Sequence, residues 1–314
     1  ISEINSFSSA YFIEANSIYL SLDGNFIPEI KIKNVDLFYA DRKPILSFTA
    51  LKTKFSLVDL VSGKIRVSSL SLDNANLSII KKNNGSLSVG FGAEDVSEVG
   101  NFDAVGFLKQ LDEIFIIEEM ERFQDLNLYG LTAQLEDQRA GKIYTVDGAR
   151  FRLKREEKTL VMGFDLALLS GGEGVTTIEA NFKSTIGQSD GEFGFLLNDF
   201  PAQDIADFSP EFAWLSVLEA PISGALRGSL SKDGKLNPIN TTLQIGSGLL
   251  KPSNDIKAIA FNAARTYFSY APGSGEINFD EISIDSKDLK ATADGFLIIE
   301  DIADVSETFV AQLN

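Results

Sequence analysis

Cysteine and histidine are absent from this 314-residue chain, and methionine (2) and tryptophan (1) nearly so. Without cysteine there is no disulfide, thiol nucleophile, CxxC redox pair or thiolate-bound metal. Without histidine, Ser-His-Asp triads, imidazole acid–base chemistry and His-ligated zinc are excluded. The missing disulfides do not assign a redox compartment, because many exported proteins lack them. Positive charge is also scarce. Lys plus Arg is 28 against 45 Asp plus Glu, a net charge of −17. Such a chain is a poor partner for nucleic acid, whose affinity comes from cations that neutralise phosphate. By charge alone it is equally poor for an anionic membrane surface. No apolar run approaches the ~18 residues of a membrane-spanning helix. The longest are broken early, as at Phe115-Ile116-Ile117-Glu118. No signal peptide is visible, and Ile1 in place of Met marks a processed chain or a segment, with any leader or anchor removed upstream.

The remainder is globular in balance, 44% hydrophobic and 23% charged with 24 Phe, which excludes a disordered or collagen-like chain. Its length allows two domains of ~100–200 residues or one large β domain. Most of the sequence alternates apolar and polar residues with period two, as strands with one wet face do. Leu160, Met162, Phe164, Leu166 and Leu168 form one such row, Ile178, Ala180 and Phe182 the next, and Phe193, Phe195 and Leu197 a third. Gly-rich turns separate them, and such short spacers predict an antiparallel meander over Phe151–Leu197.

Helical spacing is rare. Asp103–Met120 carries Phe107, Leu108, Leu111, Ile114 and Phe115 three and four apart, with Asp103 in N-cap position. Pro201–Leu218 is a second helical stretch divided by Pro210. A short helix is expected over Leu57–Val61, ended by Gly63. The first two suit either a cap over a sheet or ordinary packing. Clean domain boundaries are not evident.

A unit recurs among the strands. Gly63 to Asp73 can be laid on Gly275 to Asp285, and Leu77 then falls on Leu289, after which each copy reaches a Gly (Gly85, Gly295). Its core is apolar, two polar, apolar, one polar, apolar. The same spacing returns at Ile32/Val35/Leu37, Phe123/Leu126/Leu128 and Val146/Ala149/Phe151. The two-residue polar step breaks the period-two register, which predicts a β-bulge or sharp bend that keeps one face apolar. Recurrent strand units point to an elongated, stacked sheet.

Chemical motifs are weak. No GxxxxGK[ST] is present, since Gly234-Lys235 is followed by Leu236. Asp285, Asp288 and Asp294 lack EF-hand spacing and its terminal Glu, and read as solvated strand ends. Glu118, Glu119 and Glu121 could pair as glycosidase carboxylates do, but nothing marks a pair as buried or shifted. Asn84-Gly85-Ser86 and Asn240-Thr241-Thr242 match glycosylation acceptors, the first explained more simply by an NG turn. No metal or cofactor is expected. The apolar strand faces are what is left, either the core of a closed sandwich or the lining of a trough, and periodicity does not separate the two.

Here the residues resemble a family. Val35-Asp36-Leu37, Pro44-Ile45-Leu46, Phe55 through Ile65 with its short helix and Gly63, Leu70 through Leu77, and Asn84-Gly85-Ser86-Leu87 follow the opening pattern of the AsmA-like superfamily, near its YhdP and TamB branches. Phe212-Ala213-Trp214-Leu215 to Ala220-Pro221-Ile222-Ser223-Gly224 resembles the central YhdP-type region. The resemblance implies a chorein-type, bridge-like lipid transfer protein. Its fold would be mainly β, an elongated and curled antiparallel sheet forming a U-shaped groove (a β-taco) with a few short helices. Residues 1–314 would be a segment of one groove domain, with a chorein-like part over 1–100, a helix and meander over 101–200, and a helix and further groove strands over 201–314. At ~4.8 Å per strand, some 15–18 strands make ~70–85 Å of groove.

The resemblance further implies a non-enzymatic conduit that moves phospholipids between the inner and outer membranes of a Gram-negative bacterium. It would cross the periplasm, anchored in the inner membrane through a segment outside this chain. Its partners would be phospholipid acyl chains, and possible envelope proteins. The lining residues expected from the repeat faces are Ile65, Val67, Leu70, Leu72, Leu77, Phe123, Leu126, Leu128, Phe151, Leu160, Met162, Phe164, Phe279, Ile282, Ile284 and Leu289. A one-residue slip of register would swap the faces. The rival is a closed β-sandwich scaffold of the cell envelope without lipid, recruiting partners by strand addition. An enzyme acting on acidic or sugar polymers comes third.

Overall fold

The computed structural model describes residues 11–39, 42, 44–83, 87–90, 97–99, 115–116, 118–169, 174–188, 190–208, 210–251, 257–287, 289–300 and 308–313. The fold is mainly β with few short helices, and the strands do not close into a barrel. Contacts divide the chain into two compact units, residues 1–173 with 183–189, and residues 174–182 with 190–314. The helix expected over Asp103–Met120 lies largely outside the described residues, as do Asn84-Gly85-Ser86 and Asp288.

The first unit is built from β1 (Tyr11–Leu22), β2 (Pro28–Tyr39), β3 (Pro44–Phe55), helix α1 (Leu57–Val61), β4 (Val67–Lys81), β5 (Leu87–Gly90), β6 (Ser97–Val99), β7 (Asp125–Asp137), β8 (Lys142–Glu156) and β9 (Thr159–Leu169). Seven strands lie side by side as β1-β2-β3-β4-β7-β8-β9. All pairs are antiparallel except β4 with β7, which run parallel from Ser69↔Asp125 to Lys81↔Asp137. The expected antiparallel pairing is found elsewhere in this unit, with β4–β7 as its parallel exception. The long connection from Lys82 to Gln124 returns the chain to the end where β4 began, the kind of crossover a parallel pair requires. β5 pairs with the last residues of β4, beyond the stretch that β3 covers.

Helix α1 forms as expected. Ser56 caps its N-terminus, accepting a bond from the Asp59 N–H, and Gly63 ends it at φ 77°.

The irregular polar steps are bends. Register places Asn34 opposite Thr49, Thr49 opposite Asn74, and Asn74 beside Gly130, a line crossing β2, β3, β4 and β7. Asn34, Asn74 and Gly130 all take the left-handed conformation, at φ 50°, 53° and 70°. That conformation suits Asn and Gly. Plain alternation would send Ile32 and Val35 to opposite faces. With the left-handed residue between them both enter one core, with Phe48 and Ala75. Leu51, Leu72, Leu128 and Leu131 pack against it. Register shifts at Lys54/Phe55, opposite Ser68, and at Asp147/Arg150, beside Gly148, are the bulges expected at Val67/Leu70 and Val146/Ala149. At Phe123/Leu126 the two polar residues mark the entry into β7 instead.

The second unit contains β10 (Val175–Thr185), through which the division passes, then β11 (Gly191–Pro201), helix α2 (Ala202–Phe208), a 3-10 segment (Pro210–Val217), β12 (Leu218–Glu219), β13 (Pro221–Leu230), β14 (Ile239–Ile245), β15 (Gly248–Leu250), β16 (Ile259–Phe261), β17 (Ala263–Ala271), β18 (Glu276–Asp285), β19 (Lys290–Glu300) and β20 (Thr308–Leu313). The stretch Pro201–Leu218 is thus two short helical pieces, broken at Pro210. From β11 the sheet runs antiparallel as β11-β13-β14-β17-β18-β19-β20. β12, β15 and β16 form a small separate sheet. The shift between Tyr267 and Phe268, opposite Asp280, is the bulge expected between Phe279 and Ile282.

Candidate functional site

In the first unit the register lines apolar side chains up across every strand. Ile18 faces Ile32, Ile32 faces Leu51, Leu51 faces Leu72, Leu72 lies beside Leu128, Leu128 faces Phe151 and Phe151 faces Phe164. Directly opposed residues share a face, so this is one apolar row over seven strands. A second row, two residues along, is Leu20, Ile30, Thr53, Leu70, Leu126, Leu153 and Met162, apolar but for Thr53. Beyond the bend, Leu77, Ala133, Val146 and Leu168 are in line. Leu51, Leu72, Leu128, Phe151 and Phe164 are only half-buried.

The other face is polar. Lys31 faces Lys52, followed by Ser71, Asn127 and Arg152. Lys52 pairs with Asp73, Lys54 with Asp23 at 2.9 Å, and Arg150 with Asp165 at 2.7 Å.

Most of the expected lining residues of this unit fall on the apolar face: Leu70, Leu72, Leu126, Leu128, Phe151, Met162 and Phe164 in the two main rows, and Leu77 beyond the bend. Leu160 alternates with Met162 and is buried, and Val67 is half-buried opposite Phe55. Phe123 is buried before β7, its ring 5.8 Å from that of Phe115. Arg155 donates to the Met120 carbonyl at 2.8 Å and the Phe115 carbonyl at 3.4 Å, tying this end down. Ile65 departs from the expectation. It sits in the loop between α1 and β4 and is exposed. Ile18, Ile30, Ile32, Leu51 and Leu153 were missed. Ile32 belonged to a recurrence of the polar step, but nothing in a single sequence says that β1, β2 and β3 join the same sheet.

The second unit has a more dilute apolar face. Phe195, Leu226, Thr241, Phe268 and Phe279 form one row, and Ile239, Tyr270, Ile277 and Leu297 another. Ile282 is half-buried in line with Leu243 and Thr266. Ile284 and Leu289 are exposed, Leu289 in the turn after β18. Ala202, Ala206, Leu215 and Leu218 cluster with Ile222, and Leu243, Ile245, Leu250 and Phe261 pack against them. The α2 and 3-10 pieces therefore cover one end of this face.

Three of the acidic groups singled out by spacing, Glu118, Glu121 and Asp285, have structural partners. Glu118 and Glu121 both meet Arg66, Glu121 at 3.2 Å, and Arg66 also lies 3.5 Å from Asp59. Asp285 bonds Asn262 and Lys290, which hold its carboxyl below the usual range. Asn262 and the other contacts explain that acid without a ligand. Among the described residues, no group of three or more acidic side chains is placed to hold a metal ion.

Comparison with known proteins adds no identity: no protein family, no curated protein and no solved structure matches this chain.

Proposed function

We propose that this chain is a segment of a lipid conduit, whose apolar sheet face carries phospholipid acyl chains while head groups stay in water. The observation that carries this reading is the row from Ile18 to Phe164, apolar at every strand and only half-buried at its centre. A closed sandwich would press a second sheet onto that row, and the described strands of this unit, β1 to β9, all belong to one sheet. Each methylene taken from water contributes ~0.8 kcal/mol, and leaving a bilayer costs the same. A continuous apolar face therefore lowers the barrier to transfer without chemistry. The resemblance to AsmA-like proteins supplies the setting in this reading, the periplasm of a Gram-negative bacterium with an inner-membrane anchor outside this chain.

The test is purification without detergent, followed by native mass spectrometry and solvent extraction. Several diacyl phospholipids per chain are expected. Leu72→Asp should lose that lipid while its far-UV circular dichroism stays that of the parent. A lipid-free chain that also takes up no fluorescent phospholipid would overturn the conduit in favour of an envelope scaffold.

A further inference from the structure

Helix α1 is inside out. Its one charged residue, Asp59, is buried and lies 3.5 Å from Arg66 and 3.4 Å from Arg122. Three of its four apolar residues face water, with Val61 90% and Val58 70% exposed and Leu57 also exposed, while Leu60 is half-buried. An amphipathic helix in water packs the other way. The same end of the sheet carries more of the same kind. Glu29↔Lys54 sets the β1–β2 turn beside the end of β3, where α1 begins. Phe26 at that turn is 77% exposed, Leu22 is exposed just before it, and Ile65 is 79% exposed just after α1. At the opposite strand ends of this unit, Ile143 and Leu169 are the large apolar residues exposed among the described residues. Large apolar side chains exposed together at one end of a sheet point to an interaction site.

We propose that this rim of the first unit inserts into the interfacial layer of a lipid bilayer, with Phe26, Val58 and Val61 as its tips. Three observations favour a bilayer as the occupant. The apolar side chains stand on a turn, a helix and a loop, a set of protruding tips and not a groove for a partner's helix. Charge at the rim is mixed, Lys54 and Lys64 against Asp23 and Glu118, so no charged partner is selected. And Ile18 and Leu20, both exposed on β1 before Leu22, open the two rows, of which the one from Ile18 to Phe164 is apolar on every strand, so a chain leaving the bilayer would meet apolar surface. That last argument rests on the conduit reading. The contact is apolar, so zwitterionic lipid suffices and salt has little effect.

The absence of cysteine makes a clean test. Val61→Cys in the full chain, labelled with an environment-sensitive dye, should shift to the blue on addition of phosphatidylcholine vesicles, at low and at high salt alike. The same dye at Ile143→Cys should not respond. Phe26→Asp/Val61→Asp changes only exposed side chains and should lower the vesicle-bound fraction in flotation at least tenfold, with unaltered circular dichroism. An unresponsive dye at Val61, a double variant that floats like the parent, or binding confined to anionic vesicles at low salt would each overturn the proposal. A chain that floats but takes up no phospholipid sinks the conduit and supports the rim. One that takes up lipid from solution but does not float sinks the rim alone.

Discussion

Asn74 and Gly130 lie beside each other on the parallel strands β4 and β7, both left-handed, and a Cβ placed on Gly130 would come 2.6 Å from the Asn74 Oδ1. Asn74 also donates to the Thr49 hydroxyl at 3.2 Å, and that hydroxyl donates to the Asp73 carbonyl at 3.1 Å. This is where the bend crosses the sheet and where the apolar face is kept single.

Gly130→Ala is therefore expected to destabilise the first unit by about 1–3 kcal/mol, from the left-handed backbone and the clash together. Adding Asn74→Gly removes the clash and should recover only that part. Urea unfolding followed by circular dichroism reads both; a Gly130→Ala variant as stable as the parent would remove the steric account.

Lys81 and Asp137 face each other at the end of the parallel pair, 3.0 Å apart and both buried. Burial by itself would raise the Asp137 pKa, but the Ala140 N–H, Lys81 and the Arg139 N–H outweigh it and hold the carboxyl below its usual range. Asp137→Asn keeps an acceptor for the two N–H groups but takes the carboxylate away from the buried Lys81 ammonium, a loss of about 3–5 kcal/mol. Lys81→Met/Asp137→Asn should be more stable than Asp137→Asn alone. A double variant no better than the single one would show that the charge pair is not what holds this end.

Asp23 ties the β1–β2 turn to the end of β3. It accepts from Lys54, then from the Ile27 and Asn25 N–H groups, and its pKa falls from 3.8 to about 2. The unfolded chain takes up this proton first as pH drops, so the stabilisation is present above pH 3.8 and is lost on the way down to about 2. The Lys54 pKa is raised, mainly by the Asp23 bond, so its contribution is present below 10.5 and is lost as pH rises through the higher folded value. The protection of the Asn25 and Ile27 amides, their exchange relative to the unprotected rate at the same pH, should fall across the acid window in the parent. In Asp23→Asn that pH dependence should be absent; its persistence would assign it to another group.

Much of the candidate site was legible because it is written in local spacing. Val67, Leu70 and Leu72 follow the apolar, two polar, apolar step, and the structure answers it with a bulge opposite Lys54/Phe55. Ile65 was misplaced by the same pattern, because Lys64-Ile65-Arg66 form a loop here whereas the matched Glu276-Ile277-Asn278 lie in a strand. Both glycines that start these copies are left-handed, Gly63 at φ 77° and Gly275 at φ 67°, so the turn is shared and the exit from it is not. The outward face of α1 was invisible, since Leu-Val-Asp-Leu-Val reads as an ordinary apolar helix until the positions of Arg66 and Arg122 decide which side Asp59 turns to.

The sequence by itself determined that this is a β protein without thiol or imidazole chemistry, that its strands carry one apolar face each, and where several of them bend. These depend on composition and on neighbours two or three residues apart. Only the tertiary structure decided that β4 lies parallel to β7, that Ile18 at one edge is in line with Phe164 on β9, and that α1 turns its valines to the outside. Those facts depend on contacts between residues far apart in the chain. Many amphipathic strands fit one another equally well by pattern, and the choice among them is made by packing and pairing.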